Sequence, residues 1–166
     1  FKNVYKLRPG HYFKYHDGKL DITKYYEIKI ESDDSKSLEE WKDIIRKELN
    51  ESIKYHKVSD VEVGSFLSSG VDSSIVATLS DVDKTFTVGY DNKKYSEIDY
   101  AKELSEKIKV KNISKKISRE EYFKNFPKIQ YYMDEPLADP SAVALYFVAN
   151  TASKHVLPLL KIFLSS

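Results

Sequence analysis

The residues best placed to do chemistry lie between Val61 and Thr78, in the stretch VEVGSFLSSGVDSSIVAT. Four hydroxyls (Ser68, Ser69, Ser73, Ser74), one glycine (Gly70) and one carboxylate (Asp72) crowd a short turn there. Hydroxyls donate to phosphate oxygens, and glycine lets the main chain approach a ligand closely. A helix opening from such a turn adds outward-pointing amides and partial positive charge, a combination that binds polyanionic phosphate. Asp72 would repel bare phosphate, so it points to Mg²⁺ bridging carboxylate and phosphate. The turn has no lysine, which excludes the Walker-type Gly-Lys-Ser/Thr loop. The same residues also read as a plain turn and helix cap with no ligand, and small residues alone favour that reading.

The elements around the turn must position it. Val61, Val63, Phe66 and Leu67 make an apolar, β-branched run ahead of it, and a helix is expected from about 72 to 80. Residues 1–30 read as short strands with turns at Pro9-Gly10 and Asp17-Gly18, the second a hairpin signal. The polar stretch 31–37 is a linker, and Ser37 with Glu40 forms a capping box that opens a helix. Trp41, Ile44, Ile45, Leu49 and Ile53 recur at helical spacing, so one face of that helix should be buried. Lys84–Tyr90 alternates like a strand and should end at a glycine turn; Ser96 and Asp99 start a helix striped by Tyr100, Ala101, Leu104 and Ile108. A lysine-rich strand follows at about 110–117. Ser118 and Glu121 form a further capping box, and Pro127 should break or restart that helix. The loop MDEPLADP leads to a last helix with Asp139 as N-cap and Pro140 at its first position. Strands alternating with helices from residue 61 onward predict an α/β fold: a parallel twisted sheet with helices on both faces, preceded by a short β-hairpin. Ligands of such sheets sit beyond the carboxyl ends of the strands, where the serine turn and Val88–Tyr90 both fall.

Composition bounds the function. The 166 residues suffice for one ordinary core with a short appended segment, and 41% hydrophobic with 32% charged residues describes a soluble globular chain. A net charge of +1 gives no reason to expect nucleic acid, and no apolar run is long enough to span a membrane. Cysteine is absent, which excludes disulfides and a thiol nucleophile and fits a reducing cytoplasm. The four histidines (His11, His16, His56, His155) lack metal-ligand spacing. Lysines 107, 109, 111, 115 and 116 read as a solvated face, since acidic residues balance them elsewhere. Asp134, Glu135 and Asp139 are open to two readings, metal or substrate binding on one side and a helix cap with solvated carboxylates on the other. Tyr95, Ser96, Glu97 and Asp99 read as a helix start before they read as a site.

The strand, S-S-G-V-D-S-S and apolar helix together resemble the SGGxDS motif of the ATP pyrophosphatases, enzymes that cleave ATP between its α and β phosphates. Ser69 stands where the first of the motif's two glycines usually sits. KTFTVGYDNKKYSEIDYAKELSEKI and YYMDEPLADPSAVALYFVANTASKHV resemble the synthetase domain of glutamine-dependent asparagine synthetases. FKNVYKLRPGHYFKYHDGKL resembles the tail of their preceding glutaminase domain. The resemblance implies that residues 1–30 are that tail, 31–37 a linker and 38–166 part of an adenine nucleotide alpha hydrolase-like synthetase domain. It implies ATP and Mg²⁺ as cofactors. ATP or pyrophosphate would be met by Leu67, Ser68, Ser69, Gly70, Val71, Asp72, Ser73, Ser74 and Val88, the main chain of Leu67 and Val88 framing the adenosine. Asp72 would reach the metal through Mg-pyrophosphate. The implied chemistry adenylates the β-carboxylate of aspartate, and ammonia released from glutamine then displaces AMP. Implied partners are the glutaminase domain of a longer chain and a second copy in a homodimer, in the cytoplasm, with no nucleic acid and no membrane.

The chain departs from that family after His155-Val156. A second signature rich in Ser, Gly, Glu and Asp is replaced by LPLLKIFLSS, in which Leu164-Ser165 is a faint echo, and the glutaminase cysteine is missing. The departures predict an internal piece, or a truncated copy, of a longer enzyme, inactive by itself, and leave the catalytic residues unassigned. Two alternatives stay open: another amidating member of the superfamily acting on a different carboxylate, such as a β-lactam-forming synthetase, and a non-catalytic nucleotide-binding or interaction module.

Overall fold

The computed structural model describes residues 2–92, 96–134, 138–139, 141–155 and 159–160; Tyr95, Glu135, Pro140, Val156, Leu164 and Ser165, singled out above, lie outside them. The chain divides into two compact units, Phe1–Trp41 and Lys42–Ser166.

In the first unit, β1 (His11–His16) and β2 (Lys19–Lys24) pair antiparallel, with His16 opposite Lys19. Asp17 and Gly18 are left as a two-residue turn with φ of 48° and 72°, the doubly left-handed backbone that matches the twist of a hairpin. The amides of Tyr25 and Tyr26 both donate to the Gly10 carbonyl, at 2.8 and 3.2 Å, closing the open end. No further strand occurs among residues 2–30, so the expected strands there reduce to this one pair. The Ser37–Glu40 box forms as expected: the Glu40 amide donates to Ser37 Oγ at 3.3 Å and the Ser37 amide to Glu40 Oε2 at 2.7 Å. It opens α1 (Leu38–His56), which runs on into the second unit.

The expected burial of the α1 face is complete only at Ile53; Trp41 and Leu49 are half-buried, and Ile44 and Ile45 stay 36% and 55% exposed. Helical spacing marks which side is apolar, not whether anything covers it. Ile45 and Leu49 face Val71, Ile75 and Leu79 of the next helix, and Tyr100, across an open cleft of about 490 Å³.

The second unit is a four-stranded sheet in the order β5-β4-β3-β6, built from β3 (Gly64–Phe66), β4 (Lys84–Tyr90), β5 (Lys111–Ile117) and β6 (Leu159–Leu160), all parallel. Four helices connect them: α2 (Val71–Leu79), α3 (Ile98–Lys107), α4 (Arg119–Tyr132) and α5 (Ser141–Ala152). The two-residue period of β4 sorts the layers. Phe86 packs with Val148 and Ala152 of α5, and Val88 and Tyr90 pack against the cluster of Ile117, Ile129, Val143 and Phe147. On the other face the Thr85 hydroxyl bonds Ser105 of α3 at 3.0 Å, and Leu67, Ala77 and Ala101 join α2 to α3. Helices therefore cover both faces, as the alternating pattern predicts.

Three local expectations are corrected. Gly89 lies inside β4 and makes no turn; a Cβ there would meet Ser96 Oγ at 2.5 Å and Ile98 at 2.8 Å, so glycine permits the close approach of the α3 start. Pro127 does not interrupt α4. It removes one amide donor, but beyond it Ile129 is buried in the core and Tyr122 stacks on Phe126, which outweighs the lost bond. Val61 is 56% exposed and lies outside β3, which is only three residues long. Among the described residues no helix is long and apolar enough to cross a membrane.

Candidate functional site

The strand order places the serine turn. From β3, the strands β4 and β5 lie on one side and β6 on the other, so the chain reverses its direction of growth beside β3. Open parallel sheets hold ligands at the carboxyl edge of that reversal, and the turn leaving β3 is at that edge. The β3–β4 pairing ends at Phe66 opposite Phe86, whereas β4 continues to Tyr90. Phe86 turns its carbonyl toward β3, accepting from the Leu67 amide at 2.8 Å. Val88, two residues further along the same strand, turns its main chain the same way, past the end of the β3 pairing.

Ser68 to Ser74 are brought together, and their hydrogen bonds fold inward. The amides of Ser68 and Gly70 donate to Ser73 Oγ at 3.2 Å and Ser68 Oγ at 3.1 Å. The two hydroxyls lie 2.7 Å apart, either able to donate to the other, and the Gly70 carbonyl lies 3.1 Å from Ser73 Oγ. Ser74 Oγ donates to the Gly70 carbonyl at 2.7 Å, and Ser69 Oγ donates to Glu97 at 2.7 Å. The hydroxyls expected to meet phosphate thus already have protein partners, which a ligand must exchange. Such an exchange trades one hydrogen bond for another and costs little in net terms.

The start of α2 is different. Its N-cap is Gly70, which has no side chain to cap it, and the amides of Val71 and Asp72 find no acceptor among the described residues. Asp72 is exposed in the first turn of the helix. This donor set of outward amides, hydroxyls and one hard oxygen fits a phosphate chain carrying Mg²⁺. That ion holds most of its waters and needs only one or two carboxylates besides the phosphates. Among the described residues no group of three or more His, Asp or Glu could hold a metal by itself.

Other expectations resolve locally. Asp139 caps α5: its carboxylate accepts from the Ser141 amide at 2.8 Å and hydroxyl at 2.6 Å, and these bonds, the hydroxyl first, hold it below the usual carboxylate range. Lys107, Lys115 and Lys116 pair with Glu103, Glu121 and Asp91. Sequence reasoning missed Thr87, whose buried hydroxyl donates to the Leu67 carbonyl at 2.8 Å, and Tyr100, whose hydroxyl lies 3.2 Å from Ser74 Oγ. A polar residue on the buried face of an apolar strand was the available signal for Thr87. Tyr90, at the end of β4, has its phenol pushed up by burial, with smaller effects from Tyr122 and Glu97.

A parallel sheet with a serine-glycine turn feeding an uncapped helix at its reversal defines an α/β domain with an open helix start at its carboxyl edge. The family model described as Asparagine synthase matches residues 44–161. Asparagine synthetase (glutamine-hydrolyzing) 1 of Bacillus subtilis is 41% identical over 162 residues, covering 93% of this chain and 25% of its own length. A relative in Methanocaldococcus jannaschii, provisionally named asparagine synthetase (glutamine-hydrolyzing) 2, is 32% identical over 94% of this chain and 32% of its own. In Mycobacterium bovis, a protein given the same kind of provisional name is 42% identical over 65% of this chain and 17% of its own. The chain belongs to the asparagine synthase family. It spans about a quarter of the length of the B. subtilis relative.

Proposed function

We propose that this chain is the nucleotide-binding part of an enzyme that makes asparagine from aspartate, ATP and glutamine-derived ammonia, with its turn holding the diphosphate end of Mg-ATP. The observation that carries the reading is the uncapped start of α2, set directly after β3 at the carboxyl edge of the sheet. Family membership and the names of the relatives support it. Residues Leu67 through Ser74 grip the phosphates, the main chain at Leu67 and Val88 borders the adenosine, and Asp72 meets the metal's water shell. The carboxylate oxygen attacks the α-phosphate of ATP as the α–β bond breaks and pyrophosphate leaves, and ammonia then displaces AMP from the activated acyl group. The chain's own contribution is to orient the triphosphate, to stabilise charge gathering on the departing pyrophosphate and to keep water away. The glutaminase domain of the longer relatives would be the ammonia source, and a homodimer the assembly.

Calorimetric titration with Mg-ATP tests the binding half, and aspartate-dependent ATP–pyrophosphate exchange by the full-length enzyme tests the chemistry. Saturable Mg-ATP binding and exchange that needs aspartate are the expected results. Absence of Mg-ATP binding at millimolar concentration would overturn the reading, and exchange driven only by a different carboxylate would move the enzyme to another amidating branch.

A further inference from the structure

A buried chain of hydrogen bonds runs across the sheet beneath the turn. Thr85 and Thr87 lie on one face of β4, both buried, and Asn112 stands opposite Thr85 on β5. The Asn112 amide nitrogen is 3.0 Å from each threonine hydroxyl. Each hydroxyl has one proton to give, and the Thr87 proton goes to the Leu67 carbonyl at 2.8 Å. Asn112 must therefore donate to Thr87, which fixes the orientation of its amide, and its oxygen accepts from the Ser114 hydroxyl. Thr85 accepts from Asn112 as well and shares a hydrogen bond with the Ser105 hydroxyl at 3.0 Å. The order of donors is Asn112 to Thr87 to Leu67.

The consequence lies in the next amide. The Leu67 carbonyl and the Ser68 N–H belong to one planar trans peptide and point in opposite directions. Pinning the carbonyl onto Thr87 turns the Ser68 N–H away from the sheet and into the turn, where it meets Ser73 Oγ at 3.2 Å. We propose that Thr87 and Asn112 are positioning residues that aim the Ser68 amide at the phosphate site. The claim about phosphate rests on the functional reading above; the claim about the amide's direction does not.

The test uses the full chain and four proteins: wild type, Thr87→Val, Thr87→Ser and Asn112→Asp. Valine keeps the shape of threonine and loses the donor. Aspartate keeps the shape of asparagine and can only accept, which draws the Thr87 proton away from Leu67. Two readouts are taken: hydrogen exchange at the Ser68 amide, and affinity for Mg-ATP beside affinity for adenosine. Thr87→Val and Asn112→Asp are expected to speed exchange at Ser68 and to weaken Mg-ATP about tenfold and adenosine, which the Leu67 main chain borders, by clearly less, with Thr87→Ser restoring both. Exchange at Ser68 that is unchanged in Thr87→Val and Asn112→Asp would overturn the proposal, as would equal losses for ATP and adenosine. A general loss of folding in the valine variant would appear as faster exchange throughout the sheet, and Asn112→Asp against Thr87→Ser then decides. If wild type binds no Mg-ATP, the functional reading fails, and the exchange readout still decides the role of Thr87 and Asn112.

Discussion

Helices α4 and α2 both open at the carboxyl edge of the same parallel sheet, yet one start is closed by side chains and the other is left open. Ser118 caps α4 by accepting from the Glu121 amide at 3.1 Å, Glu121 accepts from the Ser118 amide at 3.0 Å, and Lys115 holds Glu121 at 2.6 Å. Gly70 gives α2 no side-chain cap, and the serines around it bond one another and the Gly70 carbonyl. Polar groups spent on a cap stabilise the helix and repel a second acceptor. Amides left open cost stability and remain available to an anion. The α4 start is a structural joint, and the α2 start is reserved.

Making α2 resemble α4 should break the difference most strongly. Gly70 has φ −73° and ψ 148°, an ordinary N-cap conformation that any residue adopts. A Cβ there would meet only flexible atoms, Ser68 Oγ at 3.2 Å and Ser73 Oγ at 3.8 Å. Gly70→Asp should therefore fold, gain a few tenths of a kcal/mol from capping, and lose on the order of a hundredfold in Mg-ATP affinity through like-charge contact. Calorimetry beside thermal unfolding reads both, and unchanged affinity would remove the turn as the phosphate site.

The reverse change at α4 comes next. Ser118→Ala should cost about 1 kcal/mol in urea unfolding and leave Mg-ATP affinity as it was. A joint loss of stability and affinity would mean that the two starts are not separate in role. Asp72→Asn should weaken Mg-ATP about threefold with the fold intact, and the difference should vanish when ATP is titrated without Mg²⁺. An effect independent of the metal would count against bridging by Asp72.

The smallest expected effect is on acid stability. Hydrogen bonding to Lys115, then to the Ser118 amide, holds the Glu121 carboxyl below its usual value. A lowered folded value means that its contribution is fully present above the ordinary glutamate range and is lost as pH falls through the lowered one. Glu121→Gln should flatten the fall in melting temperature between about pH 6 and pH 3, slightly because the side chain is 40% open to solvent and screened by it. An unchanged slope would show that the ion pair at α4 adds nothing beyond the cap.

Local chemistry was legible in the sequence wherever a few adjacent residues decide it. The Asp17-Gly18 turn and the Ser37–Glu40 and Ser118–Glu121 boxes follow from side-chain type alone, because their partners lie within four residues, and strand Lys84–Tyr90 and the helix after the serine turn follow from alternation and spacing. Pro127 and the α1 face were misjudged for the opposite reason: packing across the chain outweighs a proline's missing donor, and no spacing reveals whether an apolar face meets a neighbour. Only the tertiary structure decided that Thr87 and Asn112, 25 residues apart, would share a buried bond under the turn. Strand register and sheet order bring such residues together, and these depend on the whole parallel sheet closing, which no local window of sequence encodes.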